Sequence, residues 1–140
     1  QEMIKTSDRL LSIAFSLQSM RGYLDELQQE MFLNEPGREL YEFIRKFPEF
    51  DGKGGETQDL KQIKNYVKII TLQFEELYAG VDLLELQYEA ARLRTRLVEL
   101  FVKDQKKQII KQMEEAGEPE QTRYLEKARE LDQLLKRTKE

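Results

Sequence analysis

Residues 82–116 form a run of 35 residues that contains neither glycine nor proline. At about 1.5 Å per residue, a helix of this length extends for about 50 Å. Leucine or alanine recurs at alternating steps of three and four residues from Leu83 to Leu100, which is the spacing of a coiled-coil-like seam. Six consecutive polar residues at 103–108 then interrupt the apolar pattern. The run predicts one long helix, and its continuity through the polar stretch stays open.

A second helix is predicted to run back along the first. Gly117 suits the left-handed position that follows a helix, and Pro119 suits the first turn of the next one. Apolar residues continue at helical spacing from Tyr124 to Leu135. Folding the chain back at Gly117 places Leu125 near Ile110 and Met113, and it places Ala128 near Lys106. We therefore expect residues 81–140 to form a long helix plus a C-terminal helical hairpin.

Residues 1–80 are predicted to form a compact bundle of shorter helices. Four apolar stretches with helical spacing lie at about 8–19, 23–32, 38–47 and 57–78, separated by segments rich in Gly, Pro and polar residues. Ser7 or Asp8 is a candidate cap for the first helix and Thr57 for the fourth. No stretch has a convincing partner strand. The fold class is therefore predicted as all-α, a compact N-terminal helical bundle followed by a long antiparallel helical hairpin.

Composition excludes several kinds of chemistry. The chain has no Cys and no His, which removes disulfides, thiolate nucleophiles, Cys/His zinc sites and histidine acid–base catalysis. The carboxylates show no pattern that requires a catalytic or metal cleft, so we expect no enzymatic activity and no cofactor. No apolar run reaches the roughly 20 residues of a transmembrane helix, and we expect a cytoplasmic protein. The first residue is Gln1, and we expect the chain to be part of a larger protein.

The charge distribution argues against a nucleic-acid-binding protein. Residues 82–140 contain 13 Lys or Arg and 13 Asp or Glu, so the net charge of −4 resides in residues 1–81. A chain that grips phosphates usually carries a basic surplus. Basic residues do share one face of the long helix, which is compatible with a solvated surface, an acidic protein partner or, less simply, nucleic acid: Arg92, Arg96, Lys103, Lys107 and Lys111. We expect no direct nucleic-acid binding.

The hairpin supplies the candidate binding residues. A pair of helices has a single interface to bury, so apolar side chains are left over at its surface, and Tyr124 and Leu134 are predicted to be among them. Exposed apolar and aromatic residues are the usual anchors of protein interfaces. The predicted partner-binding residues are Ile110, Met113, Tyr124, Leu125, Ala128, Leu131, Leu134 and Leu135.

Five segments of the chain, together with the order of the predicted elements, match a known family. They are residues 9–11, 32–41, 83–86, 92–94 and, most strongly, 111–136. With these segments the chain resembles, over most of its length, the C-terminal helicase-binding domain of bacterial DnaG-type primases. In that family a helical bundle precedes a long-helix hairpin that docks on the N-terminal domains of the DnaB-type replicative helicase.

The resemblance implies a recruiting role. A domain of this kind tethers primase to the helicase hexamer, and the catalytic and zinc-binding domains of the family lie elsewhere in the parent protein. The expected partner is the N-terminal domain of the replicative helicase, with the domain itself monomeric or weakly self-associating. Two alternatives stay open: the chain is the N-terminal domain of such a helicase, or it is a self-associating coiled-coil adaptor that pairs through its leucine seam.

Overall fold

In the computed structural model, residues 1–51, 55–115 and 118–139 are described, with the side chains of 55–57, 118 and 119 excepted. All regular secondary structure in these residues is helical, which confirms the all-α prediction. Five α-helices follow one another: α1 (Glu2–Ser16), α2 (Glu35–Lys46), α3 (Lys64–Tyr78), α4 (Leu83–Glu115) and α5 (Glu118–Lys139). Three 3₁₀ segments connect the first of them: Gln18–Leu24, Gln29–Met31 and Gly55–Ile63. The chain divides into two compact units, Gln1–Arg94 and Thr95–Glu140.

Helix α1 is the central element of the first unit, which we call the bundle unit. It packs against α2, α3 and the 3₁₀ segment that follows it, and Leu10, Leu11 and Ile13 have no exposed surface. Three hydroxyl residues are also buried on this helix. Each of them donates to a carbonyl one turn earlier, which satisfies the hydroxyl without a partner from another element. The helix begins at Glu2, so the predicted capping role of Ser7 or Asp8 is wrong.

The segment at 23–32 is not the helix that its apolar spacing predicted. It contains two short 3₁₀ segments, with Glu26 between them at a φ of 67°. The Tyr41 hydroxyl donates to the Leu27 carbonyl at 2.8 Å, and the ring of Phe32 stacks on that of Tyr41 with centroids 4.4 Å apart. The apolar residues at 24, 27, 31 and 32 are buried as the pattern implied. The apolar side chains that the pattern predicts to be buried are buried, but tertiary contacts hold them on or beside short 3₁₀ segments and not on an α-helix.

Two helix starts also differ from the prediction. Helix α2 begins at Glu35, inside the expected loop, because the Asn34 side chain accepts a hydrogen bond from the Gly37 amide at 2.9 Å. Helix α3 begins only at Lys64, so Thr57 is not its cap. Between the third and fourth predicted helices, the glycines of residues 49–56 predict the most mobile loop of the chain. This prediction falls largely on residues 52–54, which lie outside the described residues.

Helix α4 is continuous through the polar stretch at 103–108. Most of these residues are good helix formers, and none is Gly or Pro. Gln108 also donates to Asp104 at 3.0 Å, one turn earlier on the same helix face. The helix begins where Asp82 accepts the Glu85 amide at 3.1 Å. Its 33 residues span the boundary between the two units.

Candidate protein-interaction surfaces

The second unit, Thr95–Glu140, is the predicted antiparallel hairpin, in which α4 packs against α5. Two exposed ion pairs link the helices, Lys106 with Asp132 and Lys139 with Glu99. Ala128, the expected neighbour of Lys106, lies one turn before Asp132, so the predicted pairing holds to within one turn. Gly117, the predicted turn residue, lies outside the described residues.

The face of α5 that is turned away from solvent contains most of the predicted site residues. Tyr124, Ala128, Leu131 and Leu135 are half-buried on it. Leu134 lies among them and is only 5% exposed. The prediction that Leu134 is a surface residue is therefore wrong, because the packing of the hairpin removes its side chain from water. Its burial contributes to the stability of the hairpin.

Two predicted residues are exposed instead. Ile110 on α4 is 57% exposed and Leu125 on α5 is 56% exposed. They lie five residues before Glu115 and seven residues after Glu118, so both are within about two helical turns of the end of the hairpin. Met113, also near that end, is half-buried. These two large aliphatic side chains are the part of the predicted site that water can reach most easily.

Charged side chains surround this end of the hairpin. Lys127 lies over the ring of Tyr124, with its Nζ 5.8 Å from the centroid, a distance compatible with a weak cation–π contact. Lys107, Lys111 and Glu114 on α4 are exposed, as are Arg123 and Glu126 on α5. Both signs of charge are therefore available around the apolar residues, as at the rim of a protein interface.

Sequence reasoning missed a second apolar surface, in the bundle unit. Leu84 is 60% exposed and Tyr88 is 70% exposed on the first turns of α4. Beside them a groove of about 370 Å³ lies between the end of α3 and the start of α4, and Leu77, Val81 and Tyr88 line it. We call this the α3–α4 groove. A signal was present, since Leu83 and Leu84 are adjacent and cannot both face the same side of a helix.

The polar groups in the α3–α4 groove are already paired. The Tyr78 hydroxyl donates to Glu89 Oε2 at 2.8 Å, and Arg92 Nε donates to Glu89 Oε1 at 2.8 Å. Burial of the hydroxyl, and then this hydrogen bond to a carboxylate, raise the pKa of Tyr78 well above its ordinary value. The groove therefore offers a ligand mainly apolar contact.

Two other exposed aliphatic residues, Ile69 and Leu72, lie on α3 outside the groove. Their exposed fractions are 61% and 63%. Neither residue lines the α3–α4 groove, and neither lines the cavities beside Phe15 and beside Phe47. They are therefore close controls for the exposed residues of the hairpin and of the groove.

A cavity of about 530 Å³ in the bundle unit is lined by Phe15, Phe50, Phe74 and Arg21. The Arg21 guanidinium is buried, and it donates to the carbonyls of Ala14, Phe15 and Pro48 at 2.8–3.0 Å. Burial lowers the pKa of Arg21. Because three of its donors bind backbone carbonyls, this side chain holds the end of α1 to the segment after α2.

Comparison with known proteins finds no relative: no family model, curated protein or solved structure matches this chain. None of the helices in the described part of the chain combines the length and the apolarity that a membrane span needs. Within the same residues, no group of three or more acidic side chains is placed to hold a metal ion.

Proposed function

We propose that this chain is a non-catalytic protein-interaction domain of a bacterial DNA primase, which binds the N-terminal domain of a DnaB-type replicative helicase. The proposal rests on the resemblance of the segments at 9–11, 32–41, 83–86, 92–94 and 111–136, together with the bundle-and-hairpin architecture. Its role is recruitment, since tethering primase to the helicase raises the local concentration of primase at the replication fork. The domain acts in the cytoplasm and uses no cofactor.

The observation that carries the proposal is the exposure of Ile110 and Leu125 near the end of the hairpin. Removing apolar surface from water is favourable by about 25 cal/mol per Å². Two large aliphatic side chains in water are therefore a source of binding free energy that the isolated chain does not use. A few such residues, surrounded by polar ones, dominate the affinity of many protein interfaces.

The remaining predicted residues divide between two roles. Met113, Tyr124, Ala128, Leu131 and Leu135 are half-buried, and the part of each side chain that stays exposed is available to the partner. Leu134 is buried and acts from inside the hairpin, where it keeps the two helices together. The exposed charges of both signs orient the partner, because charge complementarity at a rim affects association rate and specificity more than affinity.

The self-associating coiled-coil alternative loses support from the burial of its seam. Leu86, Ala90, Leu93 and Leu97 are buried within the single chain. A second copy could pair through this seam only if these residues first became exposed. The alternative that the chain is itself a helicase N-terminal domain makes a different prediction, because such a domain would assemble with copies of itself and would bind primase.

Isothermal titration calorimetry of the chain into the helicase hexamer of the same organism tests the proposal. We expect saturable binding, and we expect Ile110→Glu and Leu125→Glu each to weaken it by about tenfold or more, as for interface anchors. Ile69→Glu and Leu72→Glu are the matched controls, since the same residue types have similar exposure on α3. Glutamate is a good helix former, so helix content by circular dichroism should stay unchanged in all four variants.

Two outcomes would contradict the proposal. Absence of binding to the helicase removes the proposed partner. Equal weakening by the hairpin variants and their α3 controls removes the hairpin as the docking surface. Sedimentation of the chain alone distinguishes the helicase alternative, because a ring-forming domain would gain mass with concentration.

A further inference from the structure

The α3–α4 groove has the properties of a second docking surface, separate from the hairpin. Leu84 and Tyr88 are exposed one helical turn apart on α4, so they present a short apolar strip beside the groove. The groove volume of about 370 Å³ lies at the small end of the roughly 300–1,000 Å³ range of ligand pockets. Space of this size suits one large apolar side chain of a partner, with neighbouring partner residues resting on the strip.

The segment that forms the groove carries mostly negative charge. Residues 75–92 contain five carboxylates and one arginine, a net charge of −4 that equals the net charge of the whole chain. Glu76, Asp82 and Glu85 are exposed, whereas Glu75 lines the separate cavity beside Phe74. Arg92 is already paired with Glu89, and Arg9 of α1 acts electrostatically on the Tyr78 hydroxyl. The apolar strip and groove therefore lie in a negative field that attracts a positively charged partner and repels phosphate-rich ones.

We propose that the α3–α4 groove binds a basic amphipathic helix of a protein partner. An amphipathic helix repeats its apolar side chains at three- and four-residue steps, which matches the one-turn separation of Leu84 and Tyr88. One apolar side chain of that helix enters the groove, and its Lys or Arg residues face the carboxylates at 76–85. Because Tyr78, Glu89 and Arg92 are bound to one another, the recognition depends on apolar contact and charge.

This inference does not rest on the proposed function. The groove and the hairpin site share no residue, and the two sites belong to different compact units. Failure of the chain to bind helicase would not contradict the proposal for the α3–α4 groove. Failure of the groove to bind a basic helix would not contradict the proposal for the hairpin.

The first measurement uses a fluorescent synthetic peptide built from repeats of Leu-Lys-Lys-Leu-Leu-Lys-Leu as the probe. We expect saturable binding to the whole chain by fluorescence anisotropy. A matched peptide with Glu in place of every Lys keeps the apolar face and reverses the charge, and we expect it to bind at least about tenfold more weakly. Equal affinity for the two peptides would overturn the proposal, because the negative field would then play no part.

The second measurement locates the site with matched variants. We expect the double variant Leu84→Gln with Tyr88→Gln to weaken binding of the Leu/Lys peptide by about tenfold or more. The control is Ile69→Gln with Leu72→Gln, which removes a similar amount of exposed apolar surface from α3 and should leave the affinity within about twofold. Loss of affinity in both double variants, or in neither, would show that the peptide binds elsewhere and would overturn the proposal.

Two further outcomes identify a different occupant and so also overturn it. If a second copy fills the groove, the mass of the parent chain in sedimentation will rise with concentration, and Leu84→Gln with Tyr88→Gln will abolish the rise. If a membrane surface covers the groove, the parent chain will bind vesicles of anionic phospholipid, and the same double variant will not. We expect neither result with the parent chain.

Discussion

The two units of this chain are stabilised by different kinds of interaction. In the bundle unit, buried and half-buried polar side chains join segments that are distant in sequence: Arg21 donates to the Pro48 carbonyl, and Tyr66 donates to Asp8 at 2.5 Å. In the hairpin unit, the charged pairs between the helices are exposed. A buried hydrogen bond is costly to break, because the groups left behind lose water as well as their partner. An exposed ion pair contributes only about 0–1 kcal/mol.

This contrast suits the two proposed roles. In the bundle unit, α1 packs against both α2 and α3, and the groove lies between the end of α3 and the start of α4. The hairpin unit buries one stripe of apolar residues and leaves Ile110 and Leu125 exposed. A partner that covers these residues would add to the stability of the hairpin, because any ligand of the folded state shifts the folding equilibrium.

The largest effect is expected from Arg21→Met in the bundle unit. The substitution keeps an unbranched apolar stem but removes the guanidinium, which leaves three carbonyls without their donor. We expect a loss of about 3–4 kcal/mol in the free energy of unfolding, since each unsatisfied buried group costs roughly 1–3 kcal/mol and relaxation recovers part of it. Urea unfolding measures the loss.

Arg45→Met is the control for Arg21→Met. Arg45 is about half exposed and forms an ion pair with Asp25, so its loss should cost less than about 1 kcal/mol. If Arg21→Met and Arg45→Met lower the free energy of unfolding by similar amounts, the buried contacts of Arg21 stabilise the bundle unit no more than an exposed ion pair does.

A smaller effect is expected at Gly37, in the first turn of α2. A Cβ at this position would overlap Asn34 Oδ1 and would lie 3.1 Å from the Tyr66 hydroxyl oxygen. Gly37→Ala must therefore displace the Asn34 side chain that caps the helix. We expect a loss of about 1–2 kcal/mol in thermal or urea unfolding, the usual cost of a lost N-cap.

Gly22 provides the control for Gly37. The nearest atom to a Cβ at Gly22 is Asp25 Oδ2, at the ordinary contact distance of 3.9 Å. Gly22→Ala should change stability by less than about 0.5 kcal/mol or raise it, because alanine has less entropy to lose on folding. A loss at Gly22 as large as that at Gly37 would mean that the Asn34 cap is not the cause.

The sequence predicted helices best where the helical pattern is long. Helix α4 lacks Gly and Pro over its whole length, and the long helix was predicted from that feature alone. The segment at 23–32 was predicted wrongly because its apolar spacing records which side chains are buried and not which backbone carries them. The Tyr41 hydroxyl donates to the Leu27 carbonyl, and the two residues are 14 apart in sequence. A local apolar pattern does not predict a hydrogen bond over that separation.

The candidate site was predictable only in part, for a related reason. The periodic pattern of α5 identifies the stripe around Leu131, but it does not show which members of the stripe are removed from water most fully. Leu134 is buried while Leu131 and Leu135 are half-buried. The α3–α4 groove depends on how the end of α3 meets the start of α4. The orientation of these two helix ends depends on the backbone conformation of the connection between them, where Gly80 has a φ of 83°. The apolar periodicity of the sequence does not predict that conformation.

A third prediction concerns the buried tyrosines of the bundle. Burial, followed by a hydrogen bond to a carboxylate, raises the pKa of both Tyr66 and Tyr78 above the ordinary 10.0. Above that pH the unfolded chain loses these protons while the folded chain keeps them, so the unfolded state binds fewer protons. The free energy of unfolding should therefore fall as pH rises, by about 1.4 kcal/mol per pH unit for each retained proton.

The Phe variants isolate this contribution from that of the lysines, which titrate in the same range. Tyr66→Phe and Tyr78→Phe each remove one hydroxyl, so each should make the decline in stability above pH 10.0 shallower by about one proton. Urea unfolding at a series of alkaline pH values gives the slope. If both variants keep the parent slope, the tyrosines ionise equally in the folded and unfolded chains.

The smallest effect is expected from the surface ion pairs, and it tests the comparison most closely. Lys106–Asp132 in the hairpin and Arg45–Asp25 in the bundle have nearly the same exposure, 40% and 59% against 46% and 61%. Double-mutant cycles with alanine should give coupling energies below about 1 kcal/mol for both pairs, reduced further at high salt. A larger coupling at Lys106–Asp132 alone would mean that surface charges hold the hairpin together. The hairpin would then loosen with ionic strength while the bundle, with its buried contacts, would not.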